Sequence, residues 1–305
     1  MIELSLVIPI FNESERLVEN ITKIESHVRE CSNNYEIILV DDGSRDESWQ
    51  LIEQLRENNE KIRGIRLSRN FGKEQALSAG LSESQGDFIL VMDADLEHPP
   101  SIIKEMYQTI LNELVDVVEA VKSSRGKESL LYKVFANTFY RSFTKLTKFD
   151  MHQASDFKIF NRKVLDAILS CPEYNFFFRG ISSWVGFSRK QIEFDVGSRD
   201  GDQSKWTMSG LMRLAINAIT SFSSAPLHLI SLFSIVFGVF SVALGAQTLY
   251  RFMNGTAVDG FTTVILLILM LGTFLMAGLG IIGEYLARIY DETKSRPRYI
   301  IKDKI

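Results

Sequence analysis

Two stretches near the C-terminus hold no Asp, Glu, Lys or Arg: LISLFSIVFGVFSVALGA within 226–250, and FTTVILLILMLGTFLMAGLGIIG over 261–283. Twenty-three helical residues extend about 34 Å, enough to cross a hydrocarbon core about 30 Å thick. Both are therefore read as transmembrane helices, at about 226–250 and 261–283. About ten residues separate them, Arg251 and Asp259 included, so the pair forms a hairpin that returns the chain to the side it left. Beyond it Arg288, Lys294, Arg296, Arg298, Lys302 and Lys304 outnumber the acids, which favours a cytoplasmic tail over 289–305 and a cytoplasmic N-terminal bulk. The expected location is the inner (cytoplasmic) membrane, multi-pass. The opening MIELSLVIPIF has no basic start and no small-residue cleavage pattern, and reads as a strand rather than a signal peptide.

Over the first 220 or so residues, short β-rich runs alternate with helical patterns, the signature of an α/β domain. Strands are predicted at 4–10 (LSLVIPI), 35–40 (YEIILV), 61–67 (KIRGIRL), 88–92 (FILVM) and 115–121 (VDVVEAV). Helices are predicted over 15–31, 46–58, 72–84 and 100–112, with Ser14, Ser44 or Asp46, and Pro99-Pro100 near their starts. The pattern implies a doubly wound, mostly parallel sheet that binds ligands at the carboxyl ends of its strands. The first strand-to-helix turn, PIFNES, has no glycine, which argues against a GxGxxG dinucleotide site, and no GxxxxGK[ST] loop occurs. A net charge of -4 offers no global attraction for nucleic acid, and Cys31 and Cys171 have no metal-type spacing.

Acids cluster where that architecture binds ligands. The second strand ends in Asp41-Asp42-Gly43-Ser44, with Asp46 beyond, and the fourth ends in Asp93-Ala94-Asp95. Carboxylates this close repel unless a cation or ligand hydroxyls offset them, and hard oxygen ligands suit Mg²⁺ or Mn²⁺ shared with ligand phosphates. A helix-capping turn is the plainer role for Asp42, but Asp41, Asp42 and Asp46 together exceed what a cap requires.

The ordered set VIPIFNE, VDDGSRD, NFGKEQALSAG and VMDADLEHPP resembles the family-2 glycosyltransferases of GT-A fold. ASDFKIFNR, RDGDQSKWTMSGL and the two terminal spans narrow the resemblance to the polyprenyl-phosphate glycosyltransferases, the bactoprenol glucosyltransferase branch above all. The Gln-x-x-Arg-Trp motif of the processive synthases in the same broad family is absent. The resemblance implies that Pro9, Phe11, Asn12 and Glu13 shape the nucleotide-base pocket and that Asp42 holds the base or ribose. It makes Asp93 and Asp95 the DxD pair, Asp93 nearer the sugar or ribose, Asp95 a ligand of the metal on the diphosphate, and Asp93 the second metal residue. Arg199 and Lys205, in the loop RDGDQSKW, fall near the diphosphate, although Asp200 and Asp202 weaken the positive field there.

Asp156 matches the family position described as catalytic. A lipid phosphate, by analogy with phosphorylated side chains, has a second pKa of about 6 and is already largely deprotonated at neutral pH. Asp156 is therefore expected mainly to orient the sugar or acceptor, with general-base action secondary. Lys122, Arg125, Lys133, Arg141, Lys145 and Lys148 make 122–149 a basic region, and the aromatics interleaved with them make 130–149 resemble an interfacial amphipathic helix. The resemblance assigns the acceptor phosphate to Arg125, then to Lys133 and Arg141, guanidinium being suited to bidentate phosphate binding. A second amphipathic stretch covers 207–225.

The expected organisation is a GT-A catalytic domain over 1–206, an interfacial segment over 207–225, the spans within 226–288 and the basic tail. The expected activity is inverting transfer of one hexose, glucose from UDP-glucose, to undecaprenyl phosphate for cell-envelope glycan modification. GDP-mannose or a UDP-aminosugar is the alternative donor. A non-catalytic membrane adaptor is the alternative class, and the intact DxD and Asp156 motifs speak against it. A two-helix hairpin also suggests a homo-oligomer.

Overall fold

The computed structural model describes residues 2–122, 155–194, 224–254 and 260–305. Elements are numbered over these residues. The chain divides into two units, Met1–Lys205 with Arg296–Ile305, and Trp206–Ser295.

The first unit is built on an eight-stranded mixed sheet of order β7-β5-β6-β4-β1-β2-β3-β8. Its centre is the parallel block β1 (Leu4–Ile10), β2 (Tyr35–Asp41), β3 (Ile62–Leu67) and β4 (Phe88–Val91), in the order β4-β1-β2-β3. Helices α1 (Leu17–Arg29), α2 (Ser48–Asn58) and α3 (Lys73–Glu83) connect successive strands. β1 and β2 are buried almost throughout, as strands covered on both faces must be, which is why they read as continuous apolar runs. α1 turns Leu17, Ile21, Ile24 and Val28 to the core at helical spacing. α3 lies flush on the sheet at Gly80, where a Cβ would come within 2.4 Å of Val7 Cγ1. That contact sets the height of α3, and hence of Lys73 at its first turn, over the carboxyl ends of β1 and β2.

After a 3₁₀ turn at Pro100–Ile102, α4 (Ile103–Asn112) leads to β5 (Val117–Lys122). β6 (Lys158–Asn161) then inserts antiparallel between β4 and β5, followed by α5 (Arg162–Leu169), α6 (Phe178–Trp184) and β7 (Arg189–Phe194), which pairs parallel with β5. The sheet is thus mixed: its centre and the β5–β7 pair are parallel, while β6 runs antiparallel to both β4 and β5.

The last strand, β8 (Ile301–Lys304), pairs antiparallel with β3. Ile305 extends the ladder, exchanging two 3.0 Å backbone hydrogen bonds with Gly64. Arg298 donates to Ser78 Oγ at 3.4 Å and to the Cys171 carbonyl, and Lys304 pairs with Glu83 at 2.6 Å. The stretch expected as a basic tail is therefore partly sheet, and two of its cations bind protein.

The second unit contains α7 (Ala225–Met253) and α8 (Phe261–Thr293). Each contains a segment long and apolar enough to cross a membrane, Pro226–Arg251 and Leu267–Thr293, with mean hydropathy 2.3 and 2.0. Phe237 and Phe274 meet at 4.6 Å between ring centroids, and a Cβ on Gly278 would lie 3.6 Å from Ile230, so the helices pack antiparallel. Among the described residues most of their large apolar side chains are exposed, Val242 at 73% and Met276 at 70% among them.

Candidate active site

The carboxyl ends of β1, β2 and β4 open onto a cleft of about 280 Å³. β1 and the turn after it contribute Pro9, Phe11 and Glu13, β2 leads to Asp42, the turn into α3 gives Asn70, Gly72 and Lys73, and β4 leads to Asp93 and Asp95. The opposite ends of the strands are closed: there Glu36 accepts from Ser5 Oγ, Arg63 and the Gln85 N–H.

Asp42 clamps the cleft wall. Its Oδ1 accepts from Phe71 N at 2.7 Å and its Oδ2 from Gly72 N at 2.9 Å. Burial pushes this carboxyl above its ordinary range, and the two N–H groups offset part of that shift. Asp46 instead laces the first turn to the second. It accepts from Ser14 N and Ser48 N, while Asn12 Oδ1 accepts from Arg45 N. Asn12 accordingly lines the adjoining cleft of about 450 Å³, with Glu13 and Asp95 shared between the two. Phe11 stands at the cleft edge, 42% exposed.

Lys73 joins acids that are remote in sequence. Its Nζ lies 2.7 Å from Asp93 Oδ1 and 3.1 Å from Asp156 Oδ2. Asp156 also receives Arg179 in a two-point pairing, Nε to Oδ1 at 3.1 Å and Nη2 to Oδ2 at 2.9 Å. Burial alone would raise the Asp156 carboxyl, but Arg179 and Lys73 outweigh it and hold the group well below the usual carboxylate range. Its loop is fixed from beneath by a buried ion pair, Lys158 to Glu119 at 3.3 Å. Glu119 accepts from Ser155 N at 2.7 Å, and Lys158 donates to Ser182 Oγ at 2.8 Å.

Glu74 ties α3 to α6. Its Oε2 accepts from Phe178 N at 2.7 Å, next to Arg179, and burial pushes the carboxyl up to about 7 against the opposing effect of that N–H. A raised carboxyl favours the neutral fold, so its ionisation weakens the protein progressively as pH climbs from the unfolded value through 7. Glu74→Gln keeps an acceptor for Phe178 N without the charge. It is expected to raise stability by about 1–2 kcal/mol at pH 8.5, discounted for partial exposure, and by almost nothing at pH 5. Denaturant melts at the two pH values check this, and an equal gain at both would contradict it.

Lys73, Glu74 and Arg179 carry no assignment from the sequence. NFGKEQALSAG marks the segment holding the first two, but nothing local shows where their side chains point. Among the aromatics near Arg179, Phe176 and Phe178 are core residues, 3% and 0% exposed. His98 packs on Phe157 and lies 3.4 Å from Ser155 Oγ, a local role. Arg125, Lys133, Arg141, Arg199 and Lys205 lie outside the described residues, as do both amphipathic stretches apart from residues 224 and 225.

Comparison with known proteins agrees with this architecture. An uncharacterized glycosyltransferase of Synechocystis is 35% identical over 304 residues, spanning 99% of this chain and 95% of that one. A bactoprenol glucosyl transferase of Shigella phage SfX is 33% identical over 304 residues, 99% of each chain. An Escherichia coli prophage bactoprenol glucosyl transferase homolog is 34% identical over 302 residues, 98% of each. Residues 5–169, which run from β1 through α5 and hold every acid of the cleft, match Glycosyl transferase family 2, and the chain belongs to that family.

Proposed function

We propose that this protein transfers one glucose from UDP-glucose to undecaprenyl phosphate, with inversion at the anomeric carbon. The observation that carries the reading is a cleft of paired acids at the strand ends, in a chain whose identity to bactoprenol glucosyl transferases runs through both apolar helices. In this reading Pro9, Phe11 and Asp42 receive the nucleoside, with Asn12 and Glu13 shaping the turn behind it. Arg199 and Lys205 attend the diphosphate, and Arg125, Lys133 and Arg141 the acceptor phosphate.

The cleft fits a divalent cation. Asp93 and Asp95 supply two hard oxygen donors, and Glu13 nearby has a carboxyl raised by burial and then by Asp95, Asp46 and Asp93, a sign of surplus negative charge. Among the described residues no three or more His, Cys, Asp or Glu side chains converge as a metal cage, so the protein offers such an ion only part of its shell. Such a site suits Mg²⁺ or Mn²⁺, which complete their shells with water and ligand phosphates. Held there by Asp93 and Asp95, such an ion would neutralise charge on the departing nucleoside diphosphate. The lipid phosphate oxygen attacks C1 in line, and Asp156, ionised throughout, orients the reacting groups.

The reading extends to topology. β8 follows the apolar hairpin yet pairs with β3, which precedes it, an arrangement that supports an even number of crossings between those two strands. With the basic residues near the C-terminus, this supports a multi-pass protein of the inner membrane whose catalytic domain and C-terminus are cytoplasmic.

Full-length protein in vesicles with undecaprenyl phosphate, Mn²⁺ and labelled UDP-glucose, GDP-mannose or UDP-N-acetylglucosamine tests the reading. Label should enter lipid from UDP-glucose, and Asp95→Ala should lower it about 100-fold or more. Label from GDP-mannose alone moves the donor assignment, and none from any donor overturns the activity.

A further inference from the structure

We propose that Lys73 is a catalytic residue: before ligands bind it holds Asp93 and Asp156 together, and during transfer it donates a hydrogen bond to the departing diphosphate. The inference rests on the transfer reading above and adds to it a group that the sequence motifs leave unassigned.

The Lys73 ammonium stands between two functional acids at once. Its Nζ is 2.7 and 2.8 Å from the two oxygens of Asp93 and 3.1 Å from Asp156. The side chain is nevertheless 41% exposed and lines the donor cleft, so it is within reach of a ligand. The hydrogen bonds to Asp93 Oδ2 and Asp156 Oδ2 use two of the three N–H donors of an ammonium, which leaves the third for a ligand oxygen. Its backbone is anchored, since the preceding residue, Gly72, donates to Asp42, and the next, Glu74, accepts from Phe178 N. A flexible stem on a fixed base allows the charge to move while its origin stays still.

Charge balance gives the movement its direction. Without ligands, Lys73 offsets the repulsion between Asp93 and Asp156. A divalent cation held by Asp93 and Asp95 would compete with the ammonium for Asp93, and a diphosphate would offer the displaced ammonium a new anion in the same cleft. Asp156 keeps its charge compensated meanwhile through Arg179. In the transfer the C1–O bond to the β-phosphate breaks, its electron pair leaves on that oxygen, and a lipid phosphate oxygen supplies the pair of the new C1–O bond. Lys73 keeps its proton throughout and stabilises the growing charge by hydrogen bonding, as preorganised donors do in water-poor sites.

The test is Mn²⁺ binding to the full-length protein without nucleotide, read from the electron paramagnetic resonance of free Mn²⁺, followed by UDP binding and turnover. Removing a competing cation should tighten Mn²⁺ binding of Lys73→Met about 3- to 10-fold. Its UDP affinity at saturating Mn²⁺ should fall about 10-fold and its kcat about 100-fold, with Lys73→Arg falling between it and wild type. A merely structural lysine would not improve metal binding. Unchanged or weaker Mn²⁺ binding overturns the proposal, as does a kcat within about threefold of wild type. Lys73→Gln gives the same reading if the methionine variant does not fold. The Mn²⁺ titration needs no sugar donor, so it judges Lys73 even if wild type transfers nothing, an outcome that would sink the transfer reading instead.

Discussion

Asp156→Asn is expected to lower turnover about 100- to 1000-fold while leaving the shape of the pH–rate profile unchanged between pH 6 and 9. The magnitude follows from what the carboxylate holds. Arg179 and Lys73 both converge on it, and neutralising it leaves two cations in a confined space with no shared counter-ion. The constant shape follows from its ionisation. With two cations keeping the carboxyl well below the usual range, it is fully charged across this interval and too weak a base to gain much by taking a proton. The acceptor phosphate, already largely deprotonated, makes little demand for one. An ascending limb in wild-type kcat/KM that disappears in Asp156→Asn would restore the general-base role. Near-wild-type turnover in the variant would remove Asp156 from the mechanism altogether.

Gly43→Ala is expected to cost roughly 3 kcal/mol or more in stability, a fall of roughly 6–12 °C in Tm for a domain this size. Gly43 has φ +67, and a Cβ there would stand 2.4 Å from the Arg69 carbonyl carbon and 2.7 Å from Asn70 N. Both atoms are backbone, so neither can turn aside as a side chain would. The loop they belong to is the one Asp42 clamps through Phe71 and Gly72, so relief of the clash pushes the cleft wall away from Asp42. UDP affinity should drop with stability. Gly72→Ala is the control, because its φ of +103 carries strain but nothing lies within 4 Å of the new Cβ. It should lose about 1–3 kcal/mol from backbone strain alone. Thermal melts of both variants, with UDP titrations at a temperature where each is folded, separate collision from strain. Equal losses in the two would mean that the close approach at Gly43 is unimportant.

How much of this is legible in the chain depends on the range of the interactions. β1 is predicted over its observed span, and β2 to β5 and α1 to α4 to within about two residues at most ends, because burial on one or two faces writes a local period. β6 and β8 leave no such mark. KIFN and IKDK are four residues each and become strands because β4 and β5 leave a gap and β3 an open edge. The acids of the cleft are legible for a related reason: strand ends in this architecture face ligand, so clusters at Asp42 and Asp93–Asp95 stand out without coordinates.

The sequence by itself determined the class of the protein, an α/β domain with strand-end acids joined to two uncharged helices, since hydrophobic period and local composition are properties of neighbouring residues. Only the tertiary structure decided what those acids are paired with. Lys73 and Asp156 are 83 residues apart and Asp156 and Arg179 another 23, and they meet because α3, β6 and α6 pack around one end of one sheet. The ionisation of Asp156, the raised carboxyl of Glu74 and the return of the C-terminus to β3 all arise from such long-range packing, because electrostatic coupling and edge pairing depend on distance in space and not on order along the chain.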